Sequence, residues 1–144
     1  RSLLLVLLAI VCIYALAKQR EMQQGANASA PVSYKVLEDY MGTEIIIGVE
    51  SDVDEEQLLA TLVKAADEHQ RDPARDLLLS DYLWIKAYLI DGENRSKVPA
   101  GRLRRYVPPR NPREGRDHWL DWLPYIVGKR DKFYLTLEEA RRTL

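Results

Sequence analysis

One uninterrupted apolar segment near the start of the sequence constrains this chain more than any other feature. In residues 3–17, only the thiol of Cys12 and the phenol of Tyr14 are polar. A helix on the surface of a soluble domain needs a polar face, and this segment has none. As a helix it would measure about 22 Å, against roughly 30 Å for the hydrocarbon core of a bilayer. Residues 1–18 are therefore predicted to form a transmembrane anchor or a signal peptide, with residues 3–17 in the membrane.

The residues around Ala17 leave both alternatives open. Ala15-Leu16-Ala17 has the small–x–small pattern of a signal-peptidase site, and cleavage after Ala17 would give a secreted protein. Lys18 and Arg20 place positive charge on the side to be exported, which favours an uncleaved anchor. A buried core helix is the third interpretation, and the lack of a polar face argues against it. Residues 19–31 are polar and small and are predicted to be a flexible tether.

Composition predicts one domain over residues 32–144 and gives no evidence of catalysis. The chain has 144 residues and a net charge of −1, so no global field favours nucleic acid or acidic substrates. Cys12 is the only cysteine, which excludes an intramolecular disulfide and a cysteine-based zinc site. His69 and His118 are isolated, and no GxSxG, Walker A or GxGxxG motif occurs. We therefore expect no catalytic residue, no metal site and no cofactor.

A β-hairpin is predicted at the start of the domain. Residues 33–40 and 43–50 flank Met41-Gly42, which is suited to a tight turn. Residues 45–47 are three consecutive isoleucines, and such a β-branched run is typical of a buried strand.

A helix and two further strands are predicted after the hairpin. Asp52 or Asp54 is a suitable N-cap, and an apolar stripe at helical spacing follows over residues 58–66. Residues 81–90 alternate between apolar and polar, and residues 103–107 form a further short strand. A strand–helix–strand connection makes its two strands parallel. We therefore expect an α+β domain with a small mixed sheet (β-β-α-β-β) and one main helix packed on a face.

A last helix is predicted over residues 137–144. Thr136 is a suitable N-cap, and Glu139 lies three residues further on, as in a capping box. This helix closes the chain.

An arginine-rich loop over residues 95–116 is the candidate interaction surface. It holds eight basic residues and one acid, a net charge of +7, and seven of the eight are arginines suited to bidentate contact with phosphate or carboxylate. Two tryptophans follow it, and tryptophan prefers the headgroup layer of a membrane. The residues predicted to bind an anionic lipid or an acidic protein partner are Arg102, Arg104, Arg105, Arg110, Arg113, Arg116, Trp119 and Trp122.

Three structural explanations compete with binding at this surface. The loop is also consistent with a solvated segment that binds nothing. Its charges match residues 38–56, which hold eight acids and no base, so the two segments are suited to pair with each other. Trp119 and Trp122 are equally suited to pack over the sheet face presented by Trp84 and Tyr88.

The order of features resembles an uncharacterised family of small bacterial envelope domains carried behind a signal or lipid anchor. The resemblance covers residues 33–108 and rests on Tyr34-Lys35-Val36, residues 45–49, the helix start at residues 54–58, the aromatic strand at residues 84–89 and Ala100-Gly101-Arg102. It implies a domain outside the cytoplasmic membrane and no assigned activity.

The leading functional hypothesis is a membrane-tethered, non-enzymatic interaction domain of the bacterial cell envelope. We expect it at the cytoplasmic membrane, with the domain on the periplasmic or extracellular side. The alternatives are an envelope hydrolase built from dispersed acidic residues and a nucleic-acid-binding domain that uses the arginine-rich loop.

Overall fold

The computed structural model describes residues 1–70, 82–107 and 130–144, and it is α+β as predicted. A sheet of six strands among these residues carries a helix on one face. In chain order the elements are α1 (Ser2–Ala28), β1 (Tyr34–Tyr40), β2 (Glu44–Glu50), α2 (Glu55–His69), β3 (Tyr82–Asp91), β4 (Asn94–Arg95), β5 (Gly101–Tyr106), β6 (Asp131–Leu135) and α3 (Leu137–Arg142).

The predicted hairpin is confirmed. The Thr43 amide donates to the Tyr40 carbonyl at 3.1 Å and closes a β-turn between β1 and β2. Both central residues have positive φ, 54° at Met41 and 72° at Gly42, as in the type I′ turns that suit the twist of paired strands. Gly42 adopts this conformation without the steric penalty that a Cβ would add.

α2 begins at the predicted cap and connects two parallel strands. The Asp54 carboxylate accepts from the Gln57 amide at 2.8 Å, and the Gln57 side chain accepts from the Asp54 amide at 3.1 Å. This capping box satisfies two amides that the helix itself leaves unpaired. β2 and β3, on either side of α2, pair in parallel as expected.

The core lies between α2 and the sheet. The strand order is β1-β2-β3-β5-β6, and one apolar residue from each of four neighbouring strands lies in a single row: Ile45, Ile85, Leu103 and Phe133. Leu58 and Leu62 of α2 are buried in the same core. Along β3, β5 and β6 the buried residues alternate with polar and aromatic ones, so the opposite face of these strands is polar and aromatic.

Two strands are additional to the predicted set. β4 pairs with the end of β3, and β6 pairs antiparallel with β5 to form the far edge of the sheet. α3 follows β6, but its predicted capping box is wrong. The Thr136 hydroxyl donates to the Pro99 carbonyl at 2.6 Å and makes no cap bond to α3.

The first half of α1 is exposed and apolar. The most apolar 18-residue window within Ser2–Ala26 has a mean hydropathy of 2.1, and none of that window is buried against the domain. The helix is long and apolar enough to cross a membrane or to act as a signal sequence. The interpretation of residues 3–17 as a buried core helix is therefore wrong.

The second half of α1 replaces part of the predicted flexible tether. Residues 19–28 are helical and pack on the domain, with Ala26 buried and Met22 partly buried against the core. A Cβ at Gly25 would lie 3.3 Å from Leu59, so the glycine lets α1 approach α2 closely. Glutamine and alanine are good helix formers, and packing on α2 supplies the stabilisation that the local sequence lacks.

Candidate functional site

The candidate site is the sheet face that points away from α2, which we call the open sheet face. Alternation along β3, β5 and β6 sends every second side chain to this face. The side chains are Tyr82, Trp84, Lys86 and Tyr88 of β3, Arg102 and Arg104 of β5, and Lys132 and Tyr134 of β6. Helix α2 does not cover them, and α1 lies beside this face at Arg104 and Lys132.

Aromatic rings and cations interleave across this face. The rings of Trp84 and Tyr134 stack with their centroids 6.2 Å apart and their planes 22° from parallel. The Arg102 guanidinium lies 5.4 Å from the Tyr134 centroid, and the Arg104 guanidinium lies 4.8 Å from that of Tyr82. Such cation–π contacts contribute about 0.5–1 kcal/mol each at exposed sites and leave the hydrogen-bond donors of the cation free.

The cations on one side of the open sheet face have acidic partners. Lys86 forms an ion pair with Glu44 at 2.7 Å, and Arg95 forms one with Glu38 at 3.7 Å while lying 4.0 Å from the Tyr88 ring. The contact between Arg95 and Glu38 is one case of the pairing expected between residues 95–116 and 38–56. These pairs neutralise the half of the face nearest β1.

The cations on the other side have no carboxylate partner among the residues that the structure describes. Arg102, Arg104 and Lys132 each lie over an aromatic ring. Arg104 and Lys132 are moreover direct cross-strand neighbours on β5 and β6. Like charges directly opposite each other destabilise a sheet, so an anion bound at this corner would relieve their repulsion.

Arg105 is placed differently from the prediction. It is fully buried on the α2 side of the sheet, because it is one residue out of phase with Arg104 along β5. Its guanidinium donates to both carboxylate oxygens of Asp131, at 2.7 and 2.9 Å, and also to Asp67 and Gln70. Arg105 is therefore a structural residue and is unavailable to a partner.

The charge of Arg105 is maintained inside the domain. Burial by itself lowers the pKa of this guanidinium, but the hydrogen bonds and charges of Asp131 and Asp67 outweigh burial and raise the pKa above its ordinary value. The bidentate ion pair between Arg105 and Asp131 therefore fixes the position of β5 and β6 relative to the C-terminal end of α2.

The rest of the predicted surface lies outside the described residues. This holds for Arg110, Arg113, Arg116, Trp119 and Trp122. The prediction that these residues bind a partner is therefore untested, as is the alternative that the two tryptophans cover Trp84 and Tyr88.

Six of the eight side chains on the open sheet face were missing from the predicted site: Tyr82, Trp84, Lys86, Tyr88, Lys132 and Tyr134. Lys132 and Tyr134 were missed because β6 was not recognised as a strand, although residues 132–135 do alternate between polar and apolar. Tyr82 and Trp84 were placed on a strand, but their contacts with Arg104 depend on the pairing of β3 with β5.

Neither of two clefts lined by described residues holds two free carboxylates. One is lined by Ser33, Tyr34, Lys35, Gly48, Glu50, Ile90 and Gly92 and has a volume of about 310 Å³. Its single carboxylate is Glu50. Burial raises the pKa of the Tyr34 phenol, and so do its hydrogen bond to Glu68 and the negative charge of that carboxylate. The raised pKa makes the phenol a poor general base.

The second cleft lies between α1 and the corner of the sheet that carries the unpaired cations. It has a volume of about 410 Å³ and is lined by Cys12, Ala15, Leu16, Gln19, Arg104, Asp131 and Lys132. Its one carboxylate, Asp131, is occupied by Arg105. Within residues 1–70, 82–107 and 130–144 there is also no cluster of three metal-ligating side chains.

Comparison with protein-family models, with curated proteins and with solved structures finds no match for this chain. The resemblance of residues 33–108 to small envelope domains therefore stays a prediction. The functional argument rests on the geometry of α1 and of the open sheet face.

Proposed function

We propose that this chain is a membrane-tethered, non-enzymatic interaction domain of the bacterial cell envelope. Residues 3–17 lie in the cytoplasmic membrane, and the domain lies on the periplasmic or extracellular side. The open sheet face binds an anionic partner at the corner formed by Arg104 and Lys132.

The observation that carries this proposal is the division of α1 into two halves. The first half exposes a continuous apolar surface, with Leu3 72% and Ile13 66% exposed. The second half packs on α2, and the Gln19 amide group donates to the Asp131 carbonyl at 2.6 Å. A helix segment that is apolar on all sides is suited to the hydrocarbon core of a bilayer. Because the second half of the same helix is docked to the domain, the helix would hold the domain at the membrane surface.

An arginine in the middle of the apolar half tests the anchor. We expect Leu8→Arg to move the full chain from the membrane fraction to the soluble fraction, because a charged residue at the centre of a spanning helix costs about 2.5–3.5 kcal/mol. Gln24→Arg is the matched control, since Gln24 lies on the exposed side of the second half of the same helix. The measurement is flotation of membranes after a high-salt wash.

Recovery of the unmodified chain in the soluble fraction would contradict the proposal. A reporter enzyme fused after Leu144 then tests the side of the membrane. Activity of a periplasm-dependent reporter supports the envelope assignment, and activity of a cytoplasm-dependent reporter contradicts it.

Single-stranded nucleic acid is a second candidate partner. Stacked aromatic rings between unpaired cations are also found where proteins bind unpaired bases, and the pair formed by Trp84 and Tyr134 next to Arg102 has this character. This function requires the domain to face the cytoplasm, so the same reporter decides between the two candidates.

A further inference from the structure

The cleft between α1 and the sheet has two chemically different walls. Cys12, Ala15 and Leu16 form an apolar wall on one side of α1, at the helical spacing that places them on a single face. Arg104 and Lys132 face them from β5 and β6. A ligand that fills this cleft needs an apolar part next to an anionic part.

The basic wall has no internal counter-ion. Asp131 is the only acid that lines the cleft, and its carboxylate accepts two hydrogen bonds from the buried Arg105. Arg104 and Lys132 thus bring two like charges together on neighbouring strands, without an acidic partner among the described residues. An anion between them would remove the repulsion that this cross-strand pair otherwise creates.

The cleft also lies at the depth where the apolar segment ends. The residues of α1 that line it run from Cys12 to Gln19 and rise about 10 Å along the helix. The predicted membrane segment ends at Ala17, inside this interval. The headgroup layer on each side of a bilayer is roughly 5–8 Å thick, so the cleft crosses from hydrocarbon into headgroups. Long basic side chains reach readily into that layer.

We propose that this cleft binds one anionic phospholipid of the membrane that holds α1. Its phosphate lies between Arg104 and Lys132, and its acyl chain lies along Cys12, Ala15 and Leu16. The inference rests on the proposed membrane anchor and deepens it by naming the anionic partner. An acidic polypeptide matches the two cations but leaves the apolar wall unfilled, whereas a phospholipid matches both walls.

The test uses the full chain in vesicles of phosphatidylcholine alone or mixed with phosphatidylglycerol. Native mass spectrometry after transfer to detergent measures which lipid stays bound, and at what ratio. We expect the unmodified chain to retain one phosphatidylglycerol with at least a tenfold preference over phosphatidylcholine. The variant Arg104→Gln/Lys132→Gln should lose this preference about tenfold or more.

Arg102→Gln is the matched control. Arg102 is an unpaired cation on the same face, two residues along β5, and it does not line the cleft. Retention of the preference in Arg102→Gln supports a defined site, whereas an equal loss in both variants overturns it in favour of diffuse attraction to the whole face. Displacement of phosphatidylglycerol by polyglutamate also overturns the lipid assignment, in favour of an acidic polypeptide.

Failure of the anchor gives a different result from failure of the lipid site. A chain that does not float with vesicles of phosphatidylcholine alone overturns the membrane anchor and the lipid site together. A chain that floats with them but shows no preference for phosphatidylglycerol overturns the lipid site only.

Discussion

At the scale of single residues, strand phase decides what each arginine of β5 does. Arg102 and Arg104 lie on the open sheet face, while Arg105 is buried and donates to Asp131. Composition alone cannot tell which of these three arginines, all within four residues, is buried and which are exposed. The alternation of Leu103 with its neighbours indicates the phase, but the acid that makes burial of Arg105 tolerable comes from β6, 26 residues further along the chain.

Removing the buried arginine should destabilise the domain strongly. Arg105→Ala removes the bidentate partner of the buried Asp131 and leaves it the longer, 3.7 Å ion pair with Arg130. Breaking a buried pair of this kind costs about 3–5 kcal/mol. Arg102→Ala, on the other face of the same strand, should cost about 1 kcal/mol or less, because only an exposed cation–π contact is lost. Denaturant unfolding of the full chain in detergent micelles measures both free energies.

The double variant Arg105→Met/Asp131→Leu is the control for charge burial. Because it removes both charges at once, it should be more stable than Arg105→Ala alone. A similar loss of stability in Arg105→Ala and Arg102→Ala would contradict the structural role assigned to Arg105.

At the scale of elements, α1 shows what local sequence can and cannot specify. Its first half was predictable, because an apolar run without a polar face has few alternatives. Its second half was not predictable, because residues 19–28 form a short segment of polar and small residues that becomes helical by packing on α2. β6 was missed for a similar reason, since a five-residue edge strand depends on its pairing with β5.

Hydrogen exchange distinguishes a docked helix from a tether. We expect the amides of residues 22–28 to exchange at least tenfold more slowly than those of an unstructured segment, which corresponds to about 1.4 kcal/mol of local stability. Ala26→Asp should abolish this protection, because it places a charge where α1 meets the core. Gln24→Asp, at an exposed position of the same helix, should leave it intact.

Fast exchange across residues 22–28 in the unmodified chain would contradict the docking of α1. Equal loss of protection in Ala26→Asp and Gln24→Asp would instead indicate that helix propensity, not packing on α2, holds the segment.

At the scale of the whole molecule, the docking of α1 fixes how the sheet is oriented relative to the apolar segment. The fold class, the hairpin and the parallel pairing of β2 with β3 followed from the sequence, but which edge of the sheet meets α1 did not. That edge is β6, through the hydrogen bond from Gln19 to the Asp131 carbonyl and through the cleft that Lys132 shares with Cys12. The attachment brings the unpaired cations to the end of the apolar segment and leaves β1 at the far edge.

Distances from Cys12 test this arrangement, because it is the only cysteine and lines the cleft. Lys132 and Tyr40 belong to one row of register neighbours across the sheet, Tyr40–Glu44–Trp84–Arg104–Lys132. Four strand spacings of about 4.8 Å separate the ends of this row by roughly 19 Å. Spin labels at Cys12 and at Lys132→Cys should therefore give a short, narrow distance distribution, and labels at Cys12 and at Tyr40→Cys a clearly longer one. Broad, overlapping distributions for the two pairs in vesicles would mean that α1 moves independently of the sheet, and a cleft between the two could then hold no lipid.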